Sequence, residues 1–141
     1  MDLKKLDSVS ACERGMDLTI NDELDQPTDI VISIVGVDSA TYRREHSRLQ
    51  AKIEIAKKRG KPIEGEDLEV LYVELSAKCT TGWQNMNEGT SPVTFSTEKA
   101  LEIYTAYPII KSQVFVALYD RAGFLGNVVR NSPPSLPAKD A

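Results

Sequence analysis

The sequence predicts an α+β fold, mainly α, in which an N-terminal β-hairpin is followed by about four helices in one domain. Three observations carry this. Apolar residues alternate and then run β-branched between residues 16 and 37, they recur at helical spacing from about residue 39 onward, and the 141-residue length suits a single domain. A chain of that size buries ~70% of the surface it exposes when unfolded, so it needs neither disulfide nor metal to hold together.

Taken in order, residues 1–15 are polar and without periodicity, which predicts a flexible N-terminus. The domain is then expected over 16–125, with 126–141 as a flexible C-terminal tail holding Pro133, Pro134 and Pro137. Met16, Leu18 and Ile20 alternate with Asp17 and Thr19, the period of a strand with one buried face. A polar connector containing Pro27 leads to the β-branched run Ile30 to Val37, a second strand antiparallel to the first. Asp38-Ser39 can cap a helix through Tyr42, Leu49, Ile53 and Ala56 to Arg59, where Gly60 and Pro62 end it. The next helix opens near Glu66 and aligns Leu68, Leu71, Tyr72, Leu75 and Cys79 on one stripe. It stops near Thr80-Thr81-Gly82, and a loop rich in Asn and Gly is expected from Trp83 to Pro92. Ser96 caps a short helix to about Ala106, and Pro108 opens a last one to about Phe124, with Gly126 beyond it.

One stretch carries more apolar surface than a single buried face uses. Val114-Phe115-Val116-Ala117-Leu118-Tyr119 is six apolar residues in succession, which at about 100° per residue encircle a helix. One side can face the core. Phe115 and Tyr119, one turn apart, are then candidates for a self-association or partner surface.

Charge is segregated beneath a net −4: residues 1–29 hold eight acids and three bases, 43–61 hold eight bases and two acids, and 62–102 hold eight acids and two bases. Arg43, Arg44, Arg48 and Lys52 in the basic segment are therefore candidates for pairing within the chain or with acidic patches of another copy. Nucleic-acid binding is the weaker reading, because no aromatics are interleaved with these bases and the chain is acidic overall. Cys12 and Cys79 form no CxxC pair and read as reduced, buried thiols. The single His46, among Arg44, Glu45 and Arg48, reads as part of a solvated helix face. No charge-free stretch reaches the ~18 residues of a membrane span, and Met1-Asp2-Leu3-Lys4-Lys5 opens no apolar signal core. A cytoplasmic protein without membrane contact is expected.

No phosphate-binding loop, nucleophile elbow, HExxH or EF-hand spacing occurs in the chain. Glu66, Asp67 and Glu69 suit a helix N-terminus and its dipole better than a cation. No catalytic residue, metal site or cofactor is expected.

Three segments taken together carry more information than any of these patterns. Thr80-Thr81-Gly82-Trp83-Gln84-Asn85-Met86, Pro92-Val93-Thr94-Phe95-Ser96-Thr97-Glu98-Lys99-Ala100-Leu101 and Asp120-Arg121-Ala122-Gly123-Phe124-Leu125, with Tyr42-Arg43-Arg44 ahead of them, follow one another in this order. In order and spacing they resemble the tail assembly chaperones of long-tailed, non-contractile-tailed bacteriophages, over about Glu13 to Leu125. Gly123 departs from the pattern, which has a polar residue there. The resemblance implies a non-catalytic morphogenesis factor that coats the helical tape measure protein in the host cytoplasm and is absent from the mature virion. It further implies a homo-oligomer and a longer frameshifted form that recruits tail tube protein. A head–tail connector or tail-completion protein, which stays in the particle, is the alternative. Trp83 and Phe95 are read as structural anchors, Trp83 packing its turn onto the core and Phe95 pinning the start of the helix capped by Ser96.

Overall fold

A computed structural model describes residues 1–130. Its elements run α1 (Ser8–Arg14), β1 (Met16–Asn21), β2 (Pro27–Ile34), α2 (Ala40–Lys58), α3 (Glu66–Lys78), β3 (Thr80–Gln84), β4 (Asn87–Glu88), β5 (Ser91–Pro92), α4 (Thr97–Ala106), α5 (Pro108–Leu118) and α6 (Arg121–Arg130). This is an α+β fold, mainly α, with the hairpin near its N-terminus.

The hairpin pairs Met16 with Ile34 and Leu18 with Ile32, so the alternation in the first strand falls on the face that the second strand buries. A third strand, where a turn and loop were expected, joins the other edge of β2. It pairs Trp83 with Ile32, which places Leu18, Ile32 and Trp83 in one cross-strand row. The short Thr-Thr-Gly-Trp-Gln segment lacks an alternating pattern of its own; what makes it a strand is the open edge of β2 beside it. Of the rest of the expected loop, Asn87–Glu88 pairs with Ser91–Pro92 in a small second hairpin.

Two helical expectations also change. Residues 1–15 are ordered into a short 3-10 turn at Leu3–Leu6 and the helix α1, capped by the Asp7 carboxylate, which accepts from the Ser10 N–H at 3.0 Å. Ala11 and Cys12 are fully buried and α1 packs on α6, so the domain begins before residue 16. Two small apolar residues in one turn leave no periodicity to read. The last helix is two helices. Asp120 ends the first by accepting from the Gly123 N–H at 2.9 Å, the geometry of an N-cap, and α6 continues past Gly126 to Arg130. The remainder of the expected tail, 131–141, lies outside the described residues.

A tight junction lies at Gly36, just beyond β2. Its N–H donates to the Cys12 carbonyl at 3.1 Å, and the next residue, Val37, donates to the Leu118 carbonyl at 2.8 Å. A Cβ at Gly36 would lie 2.5 Å from the Cys12 Sγ and 2.7 Å from the buried Phe124 ring, so only glycine lets α1, α5 and α6 close over this strand. Asp38 secures the same junction from outside. It accepts the Ser8 hydroxyl at 2.6 Å and two bonds from the Arg121 guanidinium at 2.6 and 2.9 Å. These bonds hold its carboxyl down at about 2. Ser39, fully buried, then caps α2 by accepting from the Tyr42 N–H at 3.1 Å.

A polar node sits deeper between α3, β3 and α4. The Thr80 hydroxyl donates to the Ser76 carbonyl at 2.9 Å and bonds the Tyr104 hydroxyl at 2.7 Å, all three residues being buried. Burial pushes the Tyr104 hydroxyl up to about 12. Both cysteines are free and buried, and burial raises both thiols, Cys79 to about 12.

A candidate partner-binding surface on the fifth helix

Helix α5 resolves the six-residue apolar run by dividing it. Val114, Ala117 and Leu118 enter the core, Phe115 is half-buried, and Val116 stands 69% exposed. Around Val116 lie two hollows. One, of about 490 Å³, runs between α3 and α5 and is lined chiefly by Leu68, Tyr72, Phe115 and Val116. The other, of about 460 Å³, lies between α5 and the edge strand β1, against Met16, Leu18, Val116 and Ala117. Val116 is their common ridge, so one continuous apolar relief spans α3, α5 and β1.

Polar contacts set the limits of this surface. Lys111 of α5 forms an ion pair with Glu69 of α3 across the first hollow. Gln113 stoppers the second: its Oε1 accepts from the Asn21 N–H at 2.8 Å and its Nε2 donates to the Asn21 carbonyl at 2.9 Å. That side-chain amide occupies the outward edge of β1 as a neighbouring strand would.

Phe115 and Tyr119, the aromatic candidates, are brought together in a row. Phe115 meets Tyr72 edge-on at 6.0 Å and Tyr119 at 5.3 Å; Tyr119 meets Tyr42 at 5.7 Å, and Tyr42 stacks on His46 at 5.5 Å. Tyr119 is anchored by a hydrogen bond between its hydroxyl and that of Tyr42. Burial raises the Tyr42 hydroxyl, and this bond raises it further. Phe115 therefore faces the hollow, while Tyr119 serves mainly to join α5 to α2.

The basic candidates lie elsewhere. Arg44 and Arg48 converge on Glu45, at 3.3 and 3.0 Å, with Lys78 of α3 at 3.2 Å. Glu45 is only 8% exposed, not part of a solvated face as its charged neighbours suggested. Burial acts to raise its carboxyl, but the bonds from Lys78 and Arg44 and the charge of Arg48 outweigh that, and the net shift is downward. Arg43 reaches back to the Ser39 carbonyl at 3.4 Å, and Lys52 is exposed and joins no ion pair among the described residues. The signal for Glu45 was available: it is the one acid between Arg43 and Lys52.

Trp83 and Phe95 are brought together, with one change of place. Trp83 lies on β3 instead of in a loop, is half-buried, and meets Phe95 edge-on at 4.9 Å while its Nε1 donates to the Val93 carbonyl at 2.7 Å. Phe95 immediately precedes Ser96, whose Oγ accepts from the Lys99 N–H at 3.0 Å to cap α4.

Among the described residues no cluster of His, Cys, Asp or Glu could hold a metal ion, and no helix is long and apolar enough to cross a membrane. No family model matches the chain, and searches of curated proteins and of solved structures return no match.

Proposed function

We propose that this protein is a non-catalytic assembly chaperone of phage tails, which binds and coats the tape measure protein in the host cytoplasm and leaves before the virion is complete. One observation supports this reading above the others: the apolar relief centred on Val116, open to solvent between two hollows. A groove between two helices, lined by Leu68, Tyr72 and Phe115, accepts the apolar face of an amphipathic helix at i, i+3, i+4 and i+7. Shallow contacts of this kind are individually weak, and several copies along one rod make them sufficient together. The reading thus includes association of copies, and engagement of tail tube protein falls to a longer frameshifted form.

The test is co-expression with the tape measure protein of the same phage. That protein should stay dispersed when this chain is present and aggregate when it is absent; equal aggregation in both cases removes the chaperone reading. Mass spectrometry of purified virions supplies the second arm. Stoichiometric recovery of this chain from the particle favours a connector or tail-completion part instead.

A further inference from the structure

A second exposed surface lies on α2, away from the hollows beside α5. On α2 and its C-cap the residues Arg44, Arg48, Lys52, Ile55 and Arg59 recur at i, i+4, i+8, i+11 and i+15, and all five are exposed. At about 100° per residue they fall within a single stripe, which flanks the face that buries Tyr42, Glu45 and Leu49. Its centre is apolar: Ile55 is 50% exposed, flanked by bases one turn to either side. Lys52 and Arg59 have no ion pair among the described residues.

The tip of the β1–β2 hairpin is the opposite in charge and alike in plan. Leu24, 74% exposed, stands among Asp22, Glu23 and Asp25, with Asp29 following on β2, and the chain has no Lys or Arg from residue 15 to residue 42. The tip is also rigid. The Asp22 carboxylate accepts from the Leu24 N–H at 2.9 Å and the Gln26 N–H at 3.0 Å, and the Asn21 side-chain amide holds the Asp25 carboxylate at 3.1 Å. Asp25 adopts a φ of 60°, the left-handed turn conformation that Asp tolerates. No tip acid forms an ion pair with the chain's own bases among the described residues. A turn fixed in this way presents Leu24 and its acids with little further ordering to lose on contact.

We infer that the hairpin tip of one copy seats on the α2 stripe of the next, Leu24 against Ile55, with the tip acids facing Lys52, Arg59 and their neighbours. The two patches lie on different parts of the same chain, so the contact is head to tail and propagates into a ring or an open array. Each contact is one apolar pair inside a charged rim, which makes it weak and strongly salt-dependent. The inference rests on the proposed reading only in that copies associate; it does not depend on what fills the groove beside α5.

Charge exchange between two variants tests it. Glu23→Lys/Asp29→Lys reverses the tip, and Lys52→Glu/Arg59→Glu reverses the stripe; neither pair removes a side-chain bond of the Asp22 turn or of the Glu45 cluster. By sedimentation velocity at about 50 mM salt the unaltered chain should associate, and raising salt to about 0.5 M should weaken it about tenfold. Each variant alone should sediment as monomer with an unchanged melting temperature. Their equimolar mixture should associate again, since the reversed tip of one fits the reversed stripe of the other. Leu24→Ser and Ile55→Ser, which alter no charge, should each weaken association in the same assay. If the two variants still associate as the unaltered chain does, or if their mixture remains monomeric, the assignment is wrong. A strictly monomeric unaltered chain overturns it as well, and removes self-association from the proposed function while leaving the tape measure experiment standing.

Discussion

The Gly36 junction and the outer face of α5 lie within one short helix of each other, yet they are built to opposite ends. At Gly36 each available position is filled: Cys12, Leu118 and Phe124 are fully buried around it, and backbone bonds tie the strand to α1 and α5. Two residues before Leu118, Val116 stands exposed between two apolar hollows. Packing at the first site tolerates no added atom, whereas the second has room for a partner's side chains. The same helix thus separates the stability of the domain from the surface it offers, and substitutions on its two sides should report different properties.

Gly36→Ala should break the junction most severely. The added methyl meets the Cys12 sulfur and the Phe124 ring well inside van der Waals contact, and overpacking of this kind costs about 3 kcal/mol. Thermal or denaturant unfolding should show the loss. Substitution of Phe124 by Leu on the Gly36→Ala background should recover part of it, because the smaller side chain leaves space for the methyl; no recovery would make the Cys12 sulfur the limiting contact.

Trp83→Ala comes next. The ring is half-buried, so truncation loses part of the packing of a core aromatic together with the bond to Val93. About 2 kcal/mol is expected. If Trp83 anchors the 83–95 segment, the mutant should also lose protection from hydrogen exchange on β3 through β5 before any other region. Uniform loss across the domain would make it an ordinary core residue.

These two positions also mark how much the sequence reveals. The hairpin, the Ser39 and Ser96 caps and the Pro108 break were legible because each rests on local chemistry, a period or a side chain that bonds its own backbone. The third strand and α1 were not. Thr80–Gln84 becomes a strand because β2, about fifty residues earlier, has a free edge, and Ser8–Arg14 is held by its packing on α6 at the far end of the described chain. The break at Asp120 could have been seen, since an Asp before Arg-Ala-Gly is an ordinary N-cap, but the apolar run ahead of it suggested one continuous helix. Of the candidate surface, Phe115 was legible from that run. Its neighbours Leu68 and Tyr72 had been placed on a core-facing stripe, because only the crossing of α3 and α5 decides which part of the stripe stays open.

Acid should loosen the junction from outside. Arg121 and Ser8 hold the Asp38 carboxyl down at about 2, below its unfolded value near 4. A depressed carboxyl contributes stability that is present above the unfolded value and lost as pH falls from about 4 through about 2. Because Arg121 is partly solvated, the contribution is about 1–2 kcal/mol after screening. Asp38→Asn should lose that amount at neutral pH and show a flatter acid limb. An acid limb identical to the unaltered chain's would place the titrating group elsewhere, with Glu45 the next to examine.

The smallest effect on stability is expected on the other side of the comparison, and it sharpens the contrast most. Val116 is exposed in the last turn of α5, so Val116→Lys buries no charge, replaces a β-branched residue by a better helix former, and sets a cation near the helix C-terminus where the dipole favours it. Its melting temperature should stay within a degree or two of the unaltered chain's. Yet the ammonium stands on the ridge between the two hollows, where an apolar partner that uses both must desolvate a charge that only the acids at the margins, Glu69 and Asp120, can partly offset. Co-expressed tape measure protein should then aggregate as though this chain were absent. A Val116→Ala companion, which removes bulk but adds no charge, should retain most of the protection. Full protection by Val116→Lys would dissociate the ridge from partner binding and leave the open face of α5 without the role proposed for it.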